Sequence, residues 1–144
     1  MKESILQAIS LLRANSKTAE VASVDDTGYP IVRAMLVLEH ESFQTQYFST
    51  NTSSPKVAAF RTDKRASVYY CDALNYKGVL FIGDMEVCTD QPTKDFLWRD
   101  GFECYYPLGV TDPDYCVLKF TARRGSYYHG LESTDFEIDE LNKL

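Results

Sequence analysis

The sequence predicts a mainly β, α+β fold, an antiparallel barrel or an α+β sandwich with a few short helices. Three observations carry this expectation. Alternating apolar segments follow one another with turn residues between them, and only short helical stretches interrupt the run; that order favours antiparallel over parallel pairing. Ten Tyr and eight Phe stand in a chain that is 13% aromatic, and aromatic side chains favour strands. At 144 residues and 44% apolar, the chain escapes the composition of disorder and suffices to close one domain, residues 1–144, around a core.

The elements follow in order. Ile5, Ala8, Ile9 and Leu12 recur at three- and four-residue spacing, which predicts a helix over 3–14. Asn15 is its expected stop. Ala19–Val24 alternates as a strand, and Asp25-Asp26-Thr27-Gly28-Tyr29-Pro30 is turn chemistry. Ile31–Leu38 is then the hairpin partner. A third strand is expected over Gln46–Ser49, and a helix from Pro55 to about Arg61. Ala66–Cys71 and Val79–Cys88 read as two more strands, with Gly83 marking a bulge, a bend or a close approach. Pro92 starts a short helix carrying Phe96, Leu97 and Trp98. Gly101–Asp114 reads as a loop, Tyr115–Ala122 as a strand and Ser126–Leu131 as another. The acidic tail from Glu132 reads as a helix or a loose end. No internal repeat, linker or low-complexity tract is visible.

Charge and cysteine usage narrow the partners. A net charge of −6 and a pI near 4.9 argue against a nucleic-acid coat or an anionic membrane surface. The basic residues Lys56, Arg61, Lys64 and Arg65 lie within ten positions, a local patch that a small anion can use. Cys71, Cys88, Cys104 and Cys116 show no metal-ligand spacing, and the only histidines are His40 and His129, so no metal is expected. Met1-Lys2-Glu3 leads straight into an amphipathic stretch, and no apolar run reaches membrane length. The expectation is a cytoplasmic protein with reduced thiols. Cys71 and Cys116 fall in apolar alternating segments and are expected in the core.

The densest chemistry lies in Ser49-Thr50-Asn51-Thr52-Ser53-Ser54-Pro55-Lys56. Five hydroxyls, an amide and an ammonium crowd into eight residues where a strand gives way to a helix. Ser54 suits the N-cap and Pro55 the first helical position. A helix N-terminus accepts an anion, so the segment predicts a phosphate-bearing ligand. Neither a GxGxxG turn nor a P-loop is present to hold it another way. Taken alone, Ser54 and Lys56 also fit ordinary capping and a solvated lysine, and Arg33 fits a water-facing strand position.

Arg33-Ala34-Met35 followed by Phe48 and the segment 49–56 resembles the FMN-binding split barrel of the pyridoxamine 5′-phosphate oxidase superfamily. Leu97-Trp98, Tyr105-Tyr106-Pro107-Leu108-Gly109, Thr111-Asp112-Pro113-Asp114 and Arg124-Gly125-Ser126-Tyr127-Tyr128 resemble its general-stress-protein branch. The resemblance implies an antiparallel split β-barrel that is homodimeric, with FMN in the interface. It implies that Arg33 reaches the FMN phosphate or ribityl chain and that the backbone at Ala34 and Met35 lies along the isoalloxazine. Ser49 and Thr50, with Asn51 in the same segment, would contact the flavin edge and ribityl region. Ser54 and Lys56 match the phosphate-binding serine and lysine, and Trp98 and Tyr106 complete the pocket from either subunit. Two departures stand out. The oxidase proper has a glutamine on the strand corresponding to 78–83, where this chain reads Gly78-Val79-Leu80-Phe81-Ile82-Gly83. Its arginine-containing C-terminal substrate motif is replaced by Asp135-Phe136-Glu137-Ile138-Asp139-Glu140.

Three functions are therefore open at this stage: an FMN-dependent oxidoreductase of unknown substrate, a non-catalytic FMN-binding stress protein, and a small barrel for haem or another flavin-like ligand. No catalytic nucleophile or acid–base pair stands out, and a flavin needs none to transfer electrons.

Overall fold

A computed structural model describes residues 3–39 and 42–142, so His40 lies outside the described residues. The chain runs α1 (Glu3–Asn15), β1 (Thr18–Val24), β2 (Pro30–Leu36), β3 (Thr45–Asn51), α2 (Pro55–Thr62), β4 (Arg65–Asp72), β5 (Lys77–Cys88), α3 (Gln91–Leu97), a 3-10 turn (Phe102–Cys104), β6 (Tyr115–His129), β7 (Glu132–Glu137) and α4 (Ile138–Asn142). Seven strands form one sheet in the order β2-β1-β4-β5-β6-β3, with β7 also pairing to β6, and every ladder is antiparallel. The end strands β2 and β3 approach each other in space without sharing a ladder. The barrel is therefore split along that seam.

Alternation sets what faces inward. Phe48, Val68, Tyr70, Val79, Phe81 and Phe120 are fully buried in the main core, and α1 lays Ile9 and Leu12 onto it. Each such side chain contributes about 1.5–3 kcal/mol of burial. One polar pair sits in this interior: the Tyr70 hydroxyl donates to Gln46 Oε1 at 2.6 Å. The β1–β2 turn is held by Asp25 Oδ1, which accepts the N–H groups of Thr27 and Tyr29, both at 2.9 Å. Of the bulge, bend or close approach expected at Gly83, the structure shows a register shift between Ile82 and Gly83. A Cβ there would collide with the Thr121 carbonyl and the Ala122 backbone, so β6 can cross closely only over a glycine.

A second, smaller core gathers Cys88, Leu97, Phe102, Tyr106, Tyr115 and Val117 around α3 and the 3-10 turn. Asp90 caps α3 by accepting the Thr93 N–H at 3.1 Å.

Three expectations need correction. Tyr115–His129 is one continuous strand, not two. The tail from Glu132 to Glu137 is a strand on the edge of β6, with only Phe136 buried, and a short helix follows. Cys71 is exposed, whereas Cys116 is buried; Tyr70 takes the inward position of β4, so its neighbour Cys71 faces outward.

Candidate functional site

The hydroxyl-rich segment lies at the seam between β2 and β3. β3 alternates so that Gln46, Phe48 and Thr50 are buried, while Tyr47, Ser49 and Asn51 are less so. The candidates therefore separate onto two faces of one strand. Thr50 joins Lys56, Ser54 and Arg33. Ser49 joins Tyr106 and the aromatic cluster that contains Trp98.

On the first face, Lys56 Nζ donates to Thr50 Oγ1 at 3.0 Å and to Ser54 Oγ at 2.9 Å. Ser54 occupies the N-cap position of α2 with extended backbone, but its side chain makes no capping bond. Its oxygen is turned to Lys56 instead, which leaves the hydroxyl proton to donate elsewhere. Arg33, the register partner of Val21, donates through Nη1 to Ser23 Oγ at 2.9 Å and to the Val21 carbonyl at 3.3 Å. Burial lowers Lys56 below its ordinary value, and repulsion from Arg33 lowers it further. Arg33 is likewise lowered by burial. Among the described residues, neither cation has a carboxylate partner. Arg65, from the same basic cluster in sequence, is instead paired with Asp63 at 2.6 Å.

Two half-buried cations that repel each other are short of a negative charge, and hydroxyls stand beside them. An ammonium has three N–H groups, and hydroxyls of the protein accept two from Lys56. A phosphate dianion fits this donor set: it would receive the third N–H, the guanidinium and the Ser54 proton.

On the second face, the Tyr106 hydroxyl lies beside Ser49, and burial raises it above its ordinary value. Trp98 is half-buried and packs edge-on against Tyr115 at 5.3 Å and Phe102 at 5.5 Å between ring centroids. Within one chain, Trp98 and Tyr106 are thus packing residues of the second core. Met35 is buried in the main core and Ala34 is exposed on β2, so Met35 offers only its backbone to a ligand.

Asn51 and its neighbours point to a residue that sequence reasoning quoted but gave no role. Asn51 Nδ2 donates to Asp114 Oδ2 at 2.9 Å, the Ser53 N–H to Asp114 Oδ1 at 2.8 Å, and the Thr52 N–H to the Asp114 carbonyl at 2.7 Å. The Thr52 hydroxyl is buried near the Cys116 thiol and has no hydrogen-bonded oxygen or nitrogen partner among the described residues. On the strand 78–83, where the resemblance departs, position 78 has no room for a long side chain. Tyr69 and Tyr128 share a hydroxyl–hydroxyl bond of 2.6 Å, and a Cβ on residue 78 would lie 2.5 Å from the Tyr128 ring and 2.7 Å from the Tyr69 hydroxyl. The phenols fill the space that a longer side chain there needs.

Among the described residues, no three or more His, Cys, Asp and Glu gather as a metal site, and no helix is long and apolar enough to cross a membrane.

Comparison with known proteins shows the fold and the family. No curated protein sequence matches. A structure from Clostridium acetobutylicum, of a protein related to general stress protein 26 of B. subtilis in the pyridoxinephosphate oxidase family, is 37% identical. The alignment covers 98% of this chain and 99% of that one, with a TM-score of 0.91. General stress protein 26 from Bacillus anthracis shares the fold at 19% identity, covering 92% and 98% of the two chains with a TM-score of 0.74. So does a pyridoxamine 5′-phosphate oxidase-related, FMN-binding protein from Nostoc punctiforme, at 15% identity, 93% and 88% coverage and a TM-score of 0.72. Residues 7–138 match the family described as pyridoxamine 5′-phosphate oxidase like, and the chain belongs to it.

Proposed function

We propose that this chain is a homodimeric FMN flavoprotein, an oxidoreductase acting on a substrate other than a vitamin B6 phosphate. The observation that carries the reading is the Arg33–Lys56 pair beside Thr50 and Ser54, a donor set suited to a phosphate and without a carboxylate partner among the described residues. Arg33, Lys56, Ser54 and Thr50 hold the phosphate. Ser49 and Asn51 serve the ribityl chain and flavin edge, and the backbone at Ala34 and Met35 lies along the ring. When bound, FMN supplies reversible electron transfer, so the protein needs only to bind, orient and control access.

Dimerisation is supported by β2. This end strand exposes Ile31 (41%), Val32 (61%) and Leu36 (47%), and the turn before it exposes Tyr29 (70%). An apolar edge of this kind is ordinarily covered. In the dimer, the half-buried Trp98 of the partner subunit would help complete the pocket, while Tyr106, 3% exposed, stays in the core of its own chain and supports it. The substrate reading is supported by the tail, where Asp135, Glu137, Asp139 and Glu140 place acidic groups unsuited to a phosphorylated substrate. Four unpaired cysteines fit a cytoplasmic setting.

Purified protein mixed with FMN and desalted should retain flavin absorption at one flavin per chain and elute as a dimer. Steady-state oxidation of a reduced nicotinamide with an added acceptor should follow. A yellow dimer without turnover would leave a flavin-binding stress protein, and a protein that stays colourless would contradict the proposal.

A further inference from the structure

The motif Thr111-Asp112-Pro113-Asp114 takes no part in the phosphate contacts described above, yet its last residue holds the loop that presents them. Three successive residues, Asn51, Thr52 and Ser53, all donate to Asp114, and Ser54 and Lys56 follow directly. Asp114 is itself fixed by its neighbour. Asp112, 5% exposed, accepts the Asp114 N–H through Oδ1 at 2.9 Å and the Leu108 N–H through Oδ2 at 3.1 Å. The buried Lys94 ammonium donates to the Asp112 carbonyl at 3.0 Å. The chain of contacts thus runs from α3 through the 107–114 loop to the segment between β3 and α2.

The Asp114 carboxylate keeps its charge, but both oxygens are directed at the loop: Oδ1 accepts the Ser53 N–H and Oδ2 the Asn51 amide. We propose that Asp114 is a positioning residue that fixes the 51–54 loop in its anion-accepting shape and thereby sets the preference for a phosphorylated over an unphosphorylated flavin. The inference rests on the FMN reading above. Without the Asp114 carboxylate, the Asn51 amide and the Ser53 N–H turn to water, while the Thr52 N–H keeps the main-chain carbonyl of residue 114. The loop must then be ordered each time the phosphate binds, which weakens binding through lost pre-organisation. A flavin lacking the phosphate meets that loop only through Asn51 at the ribityl chain and loses less.

The test compares FMN and riboflavin affinities, by fluorescence titration, for the wild type, Asp114→Ala and Asp114→Asn, with melting temperatures alongside. Asp114→Ala should weaken FMN by about tenfold or more, the scale of losing bonds to a charged group, and riboflavin by less than about threefold. Asp114→Asn retains an acceptor for the Ser53 N–H and should fall between wild type and Asp114→Ala. It carries the test if the alanine variant does not fold, and a drop of at least about threefold in the FMN-to-riboflavin ratio is then required. Parallel weakening of both ligands would make Asp114 a mere anchor of β6 and overturn the inference. Tighter FMN binding in either variant would make it a repelling charge and overturn it equally. A wild type with no preference for FMN would remove the FMN reading itself, an outcome visible before any variant is compared.

Discussion

Replacing Lys56 by alanine probes the phosphate site with two readouts of opposite sign. In the free protein Nζ bonds to Thr50 Oγ1 and Ser54 Oγ, leaving one N–H for a phosphate oxygen. A hydrogen bond to a charged group contributes about 1.5–3 kcal/mol, which converts to about 10- to 150-fold in Kd. The Thr50 and Ser54 hydroxyls only accept from Lys56, so their own protons remain available to the phosphate in the variant, and the loss should lie toward the lower end of that range. The free protein behaves differently. Burial and Arg33 both disfavour the Lys56 ammonium, so Lys56→Ala should leave the flavin-free melting temperature unchanged or raise it, as expected where binding groups are held at a cost to stability. Fluorescence titration with FMN and thermal unfolding of the flavin-free protein measure the two. A Kd within threefold of wild type, or a lowered melting temperature with riboflavin binding weakened equally, would refute the reasoning.

Further outcomes follow from the same contacts. FMN affinity should decline as pH rises through the depressed Lys56 value: a bound phosphate favours the ammonium, so binding is strongest where the free protein is already protonated. The unfolded chain keeps its proton up to the ordinary 10.5, so this group makes the flavin-free fold more stable as pH climbs across the same window; Lys56→Ala should remove both trends. Tyr70→Phe leaves Gln46 Oε1, in a fully buried residue, without its donor; a loss of about 1–3 kcal/mol is expected in denaturant unfolding, with FMN affinity unchanged. Gly83→Ala forces a methyl onto the β6 backbone at Thr121 and should lower stability by about 1–3 kcal/mol or more; a neutral result would mean the bulge is more pliable than its geometry implies.

Much of the fold was legible where pattern and turn chemistry agree. The β1–β2 hairpin was readable from alternation around Asp25–Pro30, the start of α2 from Pro55, and the bulge from Gly83 in an apolar run. β6 was cut short in the reading because Arg123, Arg124 and Gly125 interrupt its apolar pattern. They belong to a strand whose outward positions tolerate charge, and Gly125 is required where the Phe136 ring covers it. β7 was hidden because an edge strand with one buried residue carries almost no hydrophobic signal.

The site was legible in part for the same reason. Lys56, Thr50 and Ser54 are local in sequence, so their proximity could be read from one segment. That Ser49 and Thr50 serve opposite faces follows from the two-residue period of a strand and was recoverable. Asp114 was not: it lies 61 positions from Ser53, and only the antiparallel register of Asn51 with Tyr115 brings it there. Sequence also left Ser54 as a helix cap, whereas the nearby ammonium competes for the same oxygen and wins.

The claim on which the account turns is that a phosphate docks between Arg33 and Lys56. Titrating the wild-type protein with FMN and with riboflavin under identical conditions measures it most directly. Two charge-assisted contacts predict that FMN binds at least about 100-fold more tightly than riboflavin. Equal affinities, or no binding of either, would contradict it.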